Sequence, residues 1–316
     1  MVTFWITFLT GLLFSLRGGL IQGIFWSIMV LGVYITFRLL DIADMTVDGS
    51  FALGGCVCVM LVVNKEMNPA LAIVIATFAG CVAGAVTGIL HTVFEIPAIL
   101  AGILTQISLW SINLRIMGGK SNIPLLKTRT IFSDLVDVTG LSSTVVYFIL
   151  GFVICVIMVV LLYWFFGTEI GSALRATGNN EDMIRALGVD TKMTKLLALI
   201  LSNGLVAMSG ALVAQYQKYG DVGMGAGAIV IGLASIVIGE VLFGWLRSFW
   251  CKLAAAAAGA CVYFMIRAFV LRLGMNANDM KLLSAVIVAL ALCIPVVLQK
   301  WELKRSYSEK GGDESC

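Results

Sequence analysis

The chain has a single histidine, His91, only four prolines, and few charges: Asp, Glu, Lys and Arg make up 12% of its 316 residues. One histidine cannot make a His-rich centre and leaves a Ser/His pair only His91 to draw on, and no cysteine pair has zinc-ligand spacing, so a membrane-embedded enzyme and a metal site are both disfavoured. Scarce charge also excludes a soluble domain of appreciable size. The net charge of +3 is too small to point to nucleic acid. Arg17 is the first basic side chain, so the N-terminus lacks the basic region of a secretory signal. What the chain has instead is apolar surface, with 60% hydrophobic residues and a mean hydropathy of +1.02. Of eight cysteines, Cys56, Cys58, Cys81, Cys155, Cys251, Cys261 and Cys293 lie in apolar runs, where a free thiol behaves as a small hydrophobe.

Apolar runs near 20 residues long, in a chain of this composition, are membrane spans. Backbone polar groups in hydrocarbon must be satisfied within each span, so the spans are helices. They fall at 18–38, 50–63, 69–91, 97–116, 143–166, 193–217, 228–244, 251–272 and 281–299. The predicted fold is therefore all-α, a polytopic membrane bundle of about nine helices (eight to ten). Residues 1–17 read as an interfacial or extra N-terminal helix, 18–300 as one transmembrane domain with a polar loop at 167–192, and 301–316 as a cytoplasmic tail. Lys and Arg divide nearly evenly between the two faces, and the basic run Lys300–Lys310 is the best single pointer to a cytoplasmic C-terminus.

Two predicted helices, 50–63 and 228–244, are short for a span, and each follows a glycine-bearing acidic turn: Asp44–Ser50 and Gly220–Gly227. Short helices entered through such turns resemble the broken helices that build midplane sites in transporters, and their arrangement suggests an inverted repeat. Asp48, Ser50 and Phe51 in the first turn, and Gly225 and Gly227 in the second, are thus candidates for a substrate pathway. Gln106, Asn113 and Asn203, polar groups inside apolar helices, join them. Gln106 and Asn113 share a helix face, and both must face protein rather than lipid. The competing reading of such side chains is interhelical hydrogen bonding, which also suits Ser202, Ser209 and Gln215. Asp48 reads as a cap for its own short helix, Glu240 as an interfacial charge, and Arg267 as a cation reaching outward from its span. Gly80, Gly84 and Gly88 form a close-packing stripe.

The run from Arg175 to Val189 is a polar island in this apolar chain. Asn179 and Asn180 suit an N-cap, with capping-box spacing from Asn179 to Asp182, and Glu181 and Asp182 supply first-turn negative charge. Gly188 suits the left-handed C′ position. The predicted two-turn helix carries Met183, Ile184 and Leu187 on one face and Arg185 opposite. So short a helix is marginal alone and requires a partner surface, either protein or lipid headgroups.

The island and the helix after it, RATGNNEDMIRALGVDTKMTKLLALILSNGLVAMSGALVAQ, resemble the corresponding loop and span of ABC importer permeases of the branched-chain amino-acid/ribose class. The pattern rests on Arg175, Ala176, Gly178, Asn179, Gly188 and Ser209-Gly210-Ala211. The upstream run TFRLLDIADMTVDGSFALGG is similar to one branch of that family, which includes permeases for tryptophan- and tyrosine-type uptake. The likeness extends over about residues 20–300. It implies a plasma-membrane permease of two copies, working with a separate ATP-binding subunit and an extracellular substrate-binding protein. Asn180–Gly188 would be the coupling helix that docks on that ATPase. ATP and Mg would be bound by the partner: here Gly118-Gly119-Lys120-Ser121 ends a phosphate-loop pattern whose first glycine is replaced by Leu114. The alternative function is an ion-coupled secondary transporter, which requires a midplane carboxylate that the sequence does not make evident.

Overall fold

The structure is a computed structural model that describes residues 2–126, 128–243 and 248–275, with positions 279, 282, 284–287, 289, 290 and 293. The expected tail at 301–316, and most of the span expected at 281–299, lie outside the described residues. The architecture is a helical membrane bundle, as the composition requires. Among the described residues the α-helices run in the order α1 Val2–Tyr34, α2 Thr46–Asn64, α3 Pro69–Thr92, α4 Ala98–Ile116, α5 Ile131–Thr139, α6 Ser143–Gly167, α7 Glu169–Asn179, α8 Glu181–Ala186, α9 Thr191–Gln217, α10 Ala228–Phe243 and α11 Phe249–Arg272. Among the described residues seven helices are long and apolar enough to cross a membrane, and α10 is a shorter apolar one. The segment read as a separate N-terminal element is continuous with the first span, because α1 runs unbroken from Val2 and ends in a π-helical turn, Ile35–Leu39.

The core forms around α1, α2 and α9. Phe25, Ile28, Met29, Val30 and Leu31 on α1 are fully buried, as are Val47, Phe51, Cys56 and Val59 on α2. Small residues allow this packing. The predicted glycine stripe on α3 lies against α9, where side chains at Gly80 and Gly84 would meet the backbone carbonyls of Asn203 and Leu199. Gly54 approaches the Ala207 carbonyl in the same way, and Gly210 approaches that of Phe51. Lipid tails are as apolar as the helices, so close backbone contact, rather than hydrophobic exclusion, is what holds such an interface. Polar side chains on α9 add hydrogen bonds. Ser202 Oγ donates to the Gly32 carbonyl (2.8 Å) and Ser209 Oγ to that of Phe25 (2.8 Å). Gln215 donates to the Pro69 carbonyl and accepts from the Ile131 amide. The bonding role expected of these three holds.

A two-stranded ribbon departs from the purely helical expectation. β1 Asn122–Pro124 pairs antiparallel with β2 Tyr219–Asp221, Ile123 opposite Gly220. The chain then descends along α2, with Gly220 against Val59, Met224 against Gly55 and Gly225 against Asp48. Val59 to Asp48 spans about 16 Å of helix at 1.5 Å per residue, so α10 starts well inside the bundle. So does α2, since Met45 packs on Gly102, one turn into α4, and the Thr46 hydroxyl meets Thr87 inside α3. The two helices enter from opposite ends and their N-termini meet; α10 is short as expected, but α2 is 19 residues long because it begins at Thr46, inside the turn read as preceding it.

That meeting is made by one side chain. Asp48 Oδ2 accepts from the Gly227 amide (2.8 Å) and Oδ1 from the Ile229 amide (2.9 Å). Gly227 has φ +85, which a residue with a Cβ adopts only at a cost. The expectation that Asp48 caps its own helix is corrected: Asp44 Oδ1 accepts from the Thr46 amide at the start of α2 (2.9 Å), which leaves Asp48 to cap α10. Replacing Gly210 with Val should force α2 from α9 and lower detergent melting by the ~1–3 kcal/mol typical of overpacking. Gly167→Ala, with open space around it, should leave the melting curve unchanged.

Candidate functional site

The polar island is a helix–cap–helix corner. α7 continues to Asn179, and Asn180 both ends it and caps α8, its Oδ1 accepting from the Met183 amide (3.0 Å). The expected box between Asn179 and Asp182 is therefore not formed, because Asn179 is still helical. At the other end the Gly188 amide bonds the Arg185 carbonyl and the Val189 amide the Ile184 carbonyl, a Schellman closure with Gly188 at φ +86, as the sequence predicts.

Glu181 ties α8 to α9. Its Oε2 accepts from Lys195 Nζ (2.6 Å), and its Oε1 from Arg185 Nη2 (2.7 Å) and the Thr191 hydroxyl (3.1 Å). The hydrogen bond from Lys195, foremost, holds the Glu181 carboxyl below the ordinary carboxylate range. On the inner side, Gly178 lies against the Leu39 carbonyl, where a side chain would collide, and the Arg175 guanidinium sits 4.3 Å from the centre of the Phe249 ring. The predicted apolar face of α8 needs one correction. Ile184 is buried against the bundle, because the Glu181–Lys195 tether turns that side inward. Met183 and Leu187, one turn apart, are 53% and 72% exposed.

The second polar constellation lies where α2 and α10 begin. Asp44 is not part of an exposed acidic loop: it is buried, and its Oδ2 accepts from Asn203 Nδ2 (2.7 Å) on α9. Asn203 Oδ1 in turn accepts from the Ser50 hydroxyl (2.6 Å). Beside it a chain of hydroxyls joins three helices, from Thr46 to Thr87 (2.8 Å) and from Thr87 to Thr105 (2.9 Å). Asp48, Ser50, Gly225, Gly227 and Asn203 are thus brought to one junction, with Phe51 beside it stacked on Trp26 at 4.6 Å. Gln106 and Asn113 are not. Gln106 is half-buried near Gly49, and Asn113 is buried farther along α4 with no partner for its Oδ1 among the described residues. Glu240 pairs with Arg38 (2.7 Å), both partly exposed, as an interfacial charge should. Sequence reasoning missed Asp44, Thr46, Thr87 and Thr105, and the one available signal was the recurrence of hydroxyls in otherwise apolar helices.

The sequence matches the family described as branched-chain amino acid transport system / permease component over residues 15–295, which takes in the junction, the corner and the helices between them. The chain belongs to this permease family. Its relatives include a tyrosine transport system permease protein of Clostridioides difficile (strain R20291), 41% identical over 84% of this chain and 86% of that one. An uncharacterized protein of Rickettsia prowazekii (strain Madrid E) is 31% identical over 84% and 91%. A ribose import permease protein of Escherichia coli (strain K12) is 21% identical over 85% and 81%. No solved structure matches. With seven apolar helices, the permease is a multi-pass protein of the plasma membrane.

The lowered Glu181 value sets a sign. A carboxyl depressed in the folded state contributes stability that is present above its ordinary range and is lost as pH falls through the folded value. Glu181→Gln should therefore speed amide hydrogen exchange across 181–190 of the permease at neutral pH. Acidifying the unaltered protein below the ordinary carboxylate range should move its exchange toward that of the variant.

Proposed function

We propose that this permease is the membrane subunit of an ATP-driven importer of a small solute, driven by a separate ATPase docked at the α7–α8 corner. The observation that carries the reading is the Met183–Leu187 pair: two large apolar side chains left uncovered on a helix too short to stand alone, tied by Glu181 to a bundle-spanning helix. Exposed apolar anchors surrounded by the polar Asp182, Arg185 and Asn180 suit the groove of a soluble partner. In this reading the 167–192 end lies in the cytoplasm. The partner ATPase binds ATP and Mg, a second copy of the permease completes the pathway, and an extracellular binding protein delivers solute to the opposite end. The 41% identity to a tyrosine transport permease supports an amino acid as that solute.

In this mechanism, closure of the ATPases displaces α8, the Glu181–Lys195 tether passes the motion to α9, and α9 carries it to Asn203 and the junction. Asp44 favours a second reading, an ion-coupled transporter, because it is a buried carboxylate inside the bundle. Uptake into proteoliposomes that needs no ATPase and collapses with a protonophore would establish that reading instead.

Met183→Asp with Leu187→Asp should abolish co-purification of the ATPase encoded with the permease and reduce vanadate-sensitive uptake at least about tenfold, a ~1.4 kcal/mol effect. Detergent melting of the permease alone should not change. Ile184→Asp is expected to lower the melting temperature instead, since it buries a charge.

A further inference from the structure

The permease has an internal cavity that the coupling and junction residues do not explain. It measures about 270 Å³ and lies at the end of the bundle opposite the α7–α8 corner, among α1, α2, α9, α10 and α11. It adjoins a second, outer cavity of about 470 Å³ on which Gln22 and Arg267 also border. Two other grooves, one between α3 and α4 and one between α6 and α11, are apolar almost throughout and suit lipid tails. This one is different in chemistry. Its wall joins aromatic carbon from Trp26 and Phe51 to polar groups from Gln22, Gln217, Tyr219 and Arg267.

Three observations point to a ligand. Trp26 is 94% buried, and its indole N–H has no acceptor among the described residues. A buried donor without an acceptor is costly, and Trp26 lines this cavity. Arg267 is half-buried within an apolar helix, and no carboxylate lies within ion-pair distance of it among the described residues. Its nearest described stabilisation is the Phe264 ring, 5.7 Å from the guanidinium carbon. Finally, the rings form a column. Phe264 stacks on Trp26 at 5.2 Å and Trp26 on Phe51 at 4.6 Å, so the guanidinium stands at the head of an aromatic wall that leads to the α2–α10 junction.

We infer that this cavity is a recognition site for an amino acid with an aromatic side chain. Arg267 takes the carboxylate in bidentate fashion, and the Trp26–Phe51 wall takes the ring. The volume lies at the small end of the ~300–1,000 Å³ typical of ligand sites, which suits one amino acid and excludes a peptide. The permease thereby exercises selection itself, in addition to any binding protein. As a step in import this rests on the importer reading; as a binding site it does not.

The test is equilibrium dialysis of radiolabelled L-tyrosine against the purified detergent-solubilised permease, with tyramine and D-ribose as competitors. L-Tyrosine should bind, tyramine, which lacks the carboxylate, should compete at least about tenfold more weakly, and ribose should not compete. Arg267→Gln should weaken binding by at least the same factor, Arg267→Lys should recover part of it, and Lys192→Gln, at the opposite end of α9 from the cavity residue Gln217, should change nothing. Trp26→Phe keeps the ring and removes the donor, so it should weaken binding with the melting temperature preserved; should Arg267→Gln fail to fold, this variant and the tyramine comparison still decide. No L-tyrosine binding, or equal competition by tyramine, overturns the site. Binding that survives where ATP-driven uptake by the reconstituted complex is absent leaves the site standing and removes the importer reading.

Discussion

The bundle depends on the bond from Asp48 to the start of α10. Two helices that begin inside a membrane leave their first amides unpaired where no bulk water can serve them. One carboxylate, itself in the first turn of α2, accepts from two amides at the start of α10. Hydrogen bonds to a charged acceptor are worth about 1.5–3 kcal/mol each, and the positive ends of two helix dipoles favour negative charge at that point. Without this cap the descending segment 222–227 would have no reason to lie along α2, and α10 would start nearer the surface.

Around that point the structure substitutes backbone contact for side-chain bulk. Gly54, Gly210 and Gly225 each bring one backbone against a carbonyl of another element, and Gly80 and Gly84 do the same from α3. Asp44, Asn203 and Ser50 then lock the register between α2 and α9, since each bond is short and buried. A one-turn slip would strand all three groups in hydrocarbon. The junction is therefore a place of fixed geometry set between helices whose outer faces are smooth and apolar.

How much of this was legible depended on whether the partner of each residue lay nearby in sequence. The seven described spans, the α8 helix with its Gly188 closure, and the packing stripe on α3 follow from periodicity and cap chemistry within one segment, and their existence read correctly. Asp48 was identified as a cap but assigned to the wrong helix, because the amides it serves lie at Gly227 and Ile229. Asp44 was read only as the start of an acidic turn, because hydropathy does not reveal that a helix starts below the surface. Arg267 was read as a cation reaching outward, and it is half-buried with its guanidinium 5.7 Å from the Phe264 ring of its own helix. Ile184 and Leu187 were placed on one face by helical angle, and only the Glu181–Lys195 tether decides which of them meets water.

The same tether gives the importer reading its mechanical content. α9 is one unbroken helix, and it carries Lys195 at the corner, Asn203 at the junction and Gly210 against Phe51. Lys195 to Asn203 is about 12 Å at 1.5 Å per residue, a span over which a packed helix moves as a body rather than bending. Asn203 holds both Asp44 and Ser50, so a shift of α9 either carries the start of α2 with it or breaks two buried bonds. The cost of breaking them makes rigid movement of α2 with α9 the favoured course. Asp48 ties that movement to α10, and Phe51, on α2, moves with it against Trp26 on α1. In that reading a push at Met183 and Leu187 reaches the α2–α10 junction through one helix and three hydrogen-bonded side chains, and the Thr46–Thr87–Thr105 hydroxyl chain ties α3 and α4 to the same movement.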